Sequence, residues 1–204
     1  MPATETPLTS VTADSETRDN GATPAPRRRR NLILGIALAA VAAVVVVVVL
    51  LVSGNDNSDR LVLGQPREVS AKQLSSYARA AGHPVYWAGP AASGFKLELT
   101  EVRGQRVFVR YLTADAKAGD PRAAFTTVAT YPMKGAYDQL KSSTSRPGAV
   151  QGKTPNGGLT LYYKKAPSNV YVAQPGSDYL IEVFAPQPHA ALQLAQSNQL
   201  VPVR

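Results

Sequence analysis

The chain has 204 residues, a formal net charge of +8 and no cysteine. The absence of cysteine excludes disulfides, thiol catalysis, thiolate metal sites and a lipid anchor attached through cysteine. The part that follows the hydrophobic segment described below, about 150 residues, is long enough for one domain with its own core.

Residues 1–30 are predicted to form a disordered cytoplasmic tail. They are rich in threonine, proline, alanine and serine and contain almost no aliphatic bulk. Such a segment cannot bury enough apolar surface to offset its loss of chain entropy. Its hydroxyl groups could accept phosphate and so recruit a cytoplasmic partner.

Residues 31–52 are predicted to form a transmembrane helix. The uncharged run from Leu32 to Val52 is long enough, as a helix, to cross a hydrocarbon core of about 30 Å. Basic residues beside a span stay in the cytoplasm, so residues 53–204 are expected outside the cell. The apolar run is longer than that of a cleaved signal peptide, which favours an uncleaved anchor. Four arginines set this topology: Arg27, Arg28, Arg29 and Arg30.

One face of the predicted span carries small residues at a spacing of four: Gly35, Ala39 and Ala43. Small residues at that spacing let two transmembrane helices approach closely. The span is therefore a candidate surface for homodimer formation.

Residues 53–69 are predicted to be a linker, and residues 70–204 an extracytoplasmic α+β domain. Residues 53–204 carry 17 basic and 10 acidic side chains. This excess suits anionic neighbours such as lipid headgroups or wall polymers, although a solvated basic surface would give the same count. A domain outside the cytoplasm is not expected to bind nucleic acid.

The first predicted helix covers residues 70–81. Ser70 can cap its N-terminus, and Leu74, Tyr77, Ala78 and Ala81 recur at helical spacing. Gly82 can end the helix in a left-handed cap, and Pro84 prevents its continuation. An extended segment is expected from Val85.

A β-hairpin is predicted next, because apolar and polar residues alternate on both sides of Gly104. A three-residue loop, 102–104, would place glycine at the left-handed position. This register pairs Leu99 with Val107 and Leu97 with Val109, which keeps the apolar side chains on one face.

The remaining elements are predicted in the order strand, helix, loop, three strands and helix. Both halves of the domain then read β-β-β-α, which indicates a possible internal pseudo-repeat. The fold class is α+β, with an antiparallel sheet and about three helices. The strands are predicted at residues 125–131, 159–163, 170–173 and 179–184, the helices at residues 134–143 and 189–197, and the loop at residues 146–158.

Three stretches carry a resemblance to known proteins: residues 82–87 (GHPVYW), residues 119–132 and residues 171–183. Together they resemble uncharacterised single-pass membrane-anchored proteins of high-GC actinobacteria. The resemblance implies a location in the cell envelope and no particular activity.

Few residues suggest catalysis. His83 and His189 are the only histidines, and the sequence has no nucleophile elbow, helical metal-binding pair or calcium loop. No metal or cofactor is therefore expected. Glu98 and Glu182 fall in predicted strands, and a glycosidase would need two such carboxylates at a defined separation.

The candidate binding residues are aromatic: Tyr86, Trp87 and Tyr111. Tyrosine and tryptophan combine a flat apolar ring with a polar group, which suits contacts to sugars and peptides, although strand packing uses the same residues. The expected function is a non-catalytic, membrane-anchored module that binds an envelope protein or wall polymer. The alternatives are a signalling subunit that acts through the tail and an envelope hydrolase.

Overall fold

A computed structural model describes residues 62–187 and 189–204. The predicted tail, its arginines and the predicted span with its small-residue face all lie outside these ranges. Within them, no helix is long and apolar enough to span a bilayer.

The described residues form ten strands and three helices. The order is β1 (Arg67–Val69), α1 (Ala71–Ala81), β2 (Tyr86–Trp87), β3 (Phe95–Val102), β4 (Arg106–Thr113), β5 (Thr126–Pro132), α2 (Ala136–Ser143), β6 (Ala149–Lys153), β7 (Leu159–Tyr163), β8 (Ala166–Ala173), β9 (Tyr179–Phe184), α3 (Ala190–Ala195) and β10 (Val201–Pro202).

Eight of these strands form one antiparallel sheet in the order β1-β3-β4-β5-β9-β8-β7-β6. The other two, β2 and β10, pair with each other as a separate antiparallel ribbon. The predicted α+β class with an antiparallel sheet and three helices is confirmed for the described residues.

Helix α1 forms as predicted from its capping residues. The Ser70 hydroxyl accepts a hydrogen bond from the Gln73 amide, and the Gln73 side chain accepts one from the Ser70 amide. Gly82 ends the helix with a φ of 68°, which a residue without Cβ adopts at little cost. The helix buries Leu74 completely.

The two faces of the large sheet are covered differently. One face, the two-helix face, packs Leu99, Val109, Val128 and Ile181 beneath α1, α3 and the β2–β10 ribbon. The opposite face, the one-helix face, packs α2 mainly against residues of β7, β8 and β9. Segment 114–125 covers another part of this face, where Ala116 and Phe125 pack on Leu112 of β4 and hydrogen bonds tie the segment to Arg110 and Glu98.

The hairpin of β3 and β4 differs from its predicted register by two residues. Leu99 pairs with Val109 and Leu97 with Tyr111, and the loop is Arg103-Gly104-Gln105. A shift of two residues leaves every side chain on the same face, so hydrophobic alternation cannot distinguish the two registers. Gln105 takes a left-handed φ of 57° in this loop, beside Gly104 at 79°.

Three short strands differ from the predicted elements. Strand β1 lies in the range predicted as linker, so the folded domain begins before residue 70. Strand β6 lies in the predicted loop 146–158. Strand β10 follows the last helix. All three are edge or ribbon strands, in which few side chains are buried and the apolar pattern is therefore weak.

The two halves of the domain repeat one strand order but not one packing arrangement. The series β3-β4-β5 and β7-β8-β9 meet at the centre of the sheet, and a helix follows each. Helix α2 packs on the one-helix face and α3 on the two-helix face. A two-fold axis normal to the sheet would place both helices on the same face.

Substitution of Gly152 by alanine should lower the free energy of unfolding by about 1–3 kcal/mol. A Cβ atom there would lie 2.6 Å from Nε2 of Gln196 and 2.8 Å from Oγ1 of Thr160. Thr160 is buried in the sheet and cannot move away easily. Urea unfolding of the full chain measures the loss, and the loss should shrink in a Thr160→Ala background; equal losses in both backgrounds would contradict the packing argument.

Candidate functional site

A pocket of about 110 Å³ opens on the one-helix face above β4, β5, β8 and β9. Segment 122–125 forms one of its sides, and the sheet forms its floor. Its aromatic walls are Phe108, Phe125, Tyr131 and Phe184. Its polar side chains are Arg110, Arg122, Thr127, Asn169 and Glu182.

The carboxyl group of Glu182 lies in the floor of this pocket. Strand β9 is otherwise apolar from Leu180 to Phe184, and Glu182 itself is only 4% exposed. It accepts hydrogen bonds from the Tyr131 hydroxyl at 2.7 Å and from Nδ2 of Asn169 at 2.9 Å. Tyr171 also hydrogen-bonds this carboxyl.

Burial raises the pKa of Glu182, because the charged form loses its hydration. The three hydrogen-bond donors oppose this shift without cancelling it. All three are uncharged groups. Within the described residues, no lysine or arginine forms an ion pair with this carboxyl.

Tyr131 occupies its place through the pairing of β5 with β9. Ala129 lies opposite Glu182 in that pairing, and Tyr131 lies opposite Leu180, so the phenol reaches the carboxyl diagonally. The ring meets that of Phe108 edge-on, at 87° and 5.8 Å between centroids. Burial raises the pKa of Tyr131, so its hydroxyl keeps its proton and donates it in the hydrogen bond.

A buried ion pair fixes the opposite wall of the pocket. Nη1 of Arg110 lies 2.8 Å from Oε1 of Glu98, and both side chains are over 90% buried. Nη2 of Arg110 donates to the carbonyls of Asp120 and Arg122, and Glu98 also accepts a 2.6 Å hydrogen bond from the Gly119 amide. These bonds hold segment 119–122 over the sheet.

Phe125 is the aromatic residue that this segment brings to the pocket. Cζ of Arg110 lies 5.1 Å from its ring centroid and that of Arg122 lies 5.5 Å away. Each guanidinium is attracted by the ring, and each has a carboxylate partner of its own. For Arg122 that partner is Asp120, at 2.6 Å, and this contact lowers the pKa of Asp120 to about 2.

The three aromatic residues predicted as binding candidates lie away from this pocket. Tyr86 and Trp87 form strand β2 and pack, half-buried, on the two-helix face. The hydroxyl of Tyr111 accepts a hydrogen bond from the Ala88 amide and donates one to the carbonyl of Gly89, each at 2.7 Å. Tyr111 thus anchors the chain that follows β2, and burial raises its pKa to about 12.

The two strand carboxylates, Glu98 and Glu182, do not form a glycosidase-type pair. They share the one-helix face, but β3 and β9 are separated by two intervening strands. Three strand spacings amount to roughly 14 Å, beyond the separations of about 5–9.5 Å that this chemistry uses. Neither histidine lines the pocket.

Sequence reasoning did not identify the pocket as a unit. Phe108, Phe125 and Phe184 carry no signal that separates a pocket wall from a buried core. The one usable signal was a carboxylate inside an otherwise apolar strand, because such a group must find hydrogen-bond donors when buried. Glu98 and Glu182 both gave that signal, and only the structure shows that one is ion-paired.

The chain was also compared with known proteins. Protein-family models, curated protein sequences and solved structures give no match to it. The geometry of the pocket therefore carries the functional argument.

The variant Glu98→Gln should lower the free energy of unfolding by about 3 kcal/mol, because it leaves the Arg110 guanidinium buried without its counter-charge. Chemical unfolding followed by circular dichroism measures the change. Glu68→Gln is the matched control: its ion pair with Lys96, at 3.0 Å, is partly exposed to solvent and should contribute less than about 1 kcal/mol. Similar losses in both variants would show that burial of the Glu98 pair has no energetic effect.

The variant Glu182→Gln should change how stability depends on pH. Because burial raises the pKa of Glu182, the native protein binds its proton more tightly than the unfolded chain does. The contribution of this proton binding to the free energy of unfolding is fully present below the unfolded pKa of about 4.3. It is lost as pH rises through the higher pKa of the native state. The wild type should therefore lose stability relative to Glu182→Gln as pH is raised; parallel pH profiles would contradict the assignment.

Proposed function

We propose that this chain is a non-catalytic binding module of the cell envelope. Residues 31–52 hold it in the membrane, the residues after the span face outward, and the pocket on the one-helix face receives the ligand. The observation that carries the proposal is the pocket itself: a concave, mainly aromatic site with a few convergent polar groups, built around a carboxyl that has no cationic partner among the described residues.

The composition of the walls supports binding. Ligand sites are usually lined by apolar and aromatic side chains, with a few polar groups that fix orientation. Here Phe108 and Phe184 supply apolar surface, while Asn169 and Glu182 supply hydrogen-bonding atoms. The walls are preorganised, since the Glu98–Arg110 ion pair and the sheet hold them in place.

The same walls give little support for hydrolysis. Glu182 is the only acidic side chain among those that line the pocket in the described part of the chain. General acid–base hydrolysis of a sugar or peptide needs a second carboxylate, a histidine or a metal site beside the first group. The described residues also contain no cluster of three or more potential metal ligands.

The proposal predicts that the full chain, solubilised in detergent, co-sediments with isolated cell-wall sacculi through the pocket. Ala123 is exposed at the pocket rim, and Ala123→Trp should block entry and reduce binding at least about tenfold, a loss of about 1.4 kcal/mol. The neighbouring Ala124 is exposed but does not line the pocket, so Ala124→Trp is a matched control that should bind normally.

Binding measured at raised salt concentration distinguishes binding in the pocket from attraction by the net charge of the protein. Binding through the pocket should persist at about 0.5 M salt, where exposed charges are screened within a few ångströms. Binding that disappears at this salt concentration, or that is equal in the two tryptophan variants, would contradict the proposed function.

A further inference from the structure

We propose that the group bound in the pocket is a substituted ammonium ion, held by Glu182 and the surrounding aromatic rings. This inference rests on the proposed function, because it takes the pocket as the ligand site. It specifies the chemistry of the ligand, which the proposed function leaves open.

The charge balance of the pocket is the first argument. Arg110 is paired with Glu98 and Arg122 with Asp120, so each of these pairs is neutral. The ionised Glu182 would add one negative charge, and the side chains that hydrogen-bond it, Tyr131, Asn169 and Tyr171, are all uncharged. A buried ionised carboxylate is costly without a cation, so a ligand that supplies one stabilises the charged state.

The aromatic walls are the second argument. The faces of Phe, Tyr and Trp rings attract cations, and ammonium groups are bound in proteins by such rings together with a carboxylate. Phe125 already faces two guanidinium groups, whereas Phe108, Tyr131 and Phe184 line the pocket and have no cation contact among the described residues. These three rings and Glu182 line the same pocket.

The size of the pocket is the third argument. Its volume of about 110 Å³ is smaller than the cavity of about 150 Å³ that holds a benzene molecule. The pocket therefore has room for a head group of roughly five non-hydrogen atoms, and its opening lets the rest of a ligand extend outward. A trimethylammonium or alkylammonium group has this size, whereas a sugar ring does not.

Choline and dimethylbutanol test the inference directly, because the alcohol has the shape of choline with carbon in place of the quaternary nitrogen. In calorimetric titrations of the full chain, choline should bind at least about tenfold more tightly than dimethylbutanol. Glu182→Gln should remove this preference. Ala123→Trp should abolish choline binding and Ala124→Trp should not, which keeps the test valid even if the Glu182 variant folds poorly.

Proton release gives an independent readout. Ammonium binding should ionise Glu182, so at a pH at which the carboxyl is partly protonated the measured enthalpy should vary with the ionisation heat of the buffer. Tyr131 and Tyr171, which hydrogen-bond this carboxyl, have raised pKa values and stay protonated there. The guanidinium groups that line the pocket, those of Arg110 and Arg122, are ion-paired with carboxylates of their own. A buffer-independent enthalpy would count against the role of Glu182.

The source of the ammonium group can be a lipid headgroup or a soluble molecule. If vesicles of phosphatidylcholine displace bound choline and vesicles of phosphatidylglycerol do not, the source is a lipid headgroup. If choline binds and neither kind of vesicle displaces it, the source is a soluble molecule. Both results support the ammonium inference.

Two other results separate this inference from the proposed function. If dimethylbutanol binds as tightly as choline, or if neither binds while Ala123→Trp still blocks binding to sacculi, the ammonium inference is wrong and the binding module stands. If Ala123→Trp leaves sacculus binding unchanged and no probe binds, both are wrong.

Discussion

The antiparallel pairing of β5 with β9 is the interaction on which the rest of the described domain depends. It joins the two halves of the sheet. Val128 and Val183 lie opposite each other in this pairing, and both are completely buried. The same pairing places Tyr131 beside Glu182 on the other face. A slip of one residue would turn Glu182 into the apolar layer beneath α3 and away from the Tyr131 and Asn169 side chains that donate to it. The buried carboxyl therefore also protects the register.

Three acidic side chains on the one-helix face and its covering segment show how environment divides similar groups into different roles. Glu98 is buried with Arg110, and the pair fixes the segment that covers the sheet. Asp120 pairs with Arg122, which is 62% exposed. Glu182 is buried among neutral donors. Because the first two are neutralised within the protein, only the third is left to interact with a charged ligand.

The elements with strong periodicity were predictable from the sequence, and the site was not. Helix α1 and strand β9 follow from capping residues and from an apolar run with clear boundaries. The weak strands β1, β6 and β10 were missed because partners in the sheet, rather than their own side chains, define them. The pocket needs β4, β5, β8 and β9 side by side, and no local pattern encodes the order β5-β9-β8. The unpaired state of Glu182 likewise depends on where the arginines lie in space.

The β2–β10 ribbon has a consequence for the order in which the domain assembles. Strand β2 lies near the beginning of the folded part, whereas its only ribbon partner follows the last helix. The backbone bond from Val203 to Val85, at 2.8 Å, likewise joins residues from opposite ends of the domain. During synthesis, the large sheet can therefore form while the backbone of β2 still lacks its pairing partner, β10. We expect ribbon closure to be the last folding step, and a nascent chain halted before residue 201 to leave the backbone edge of β2 unpaired.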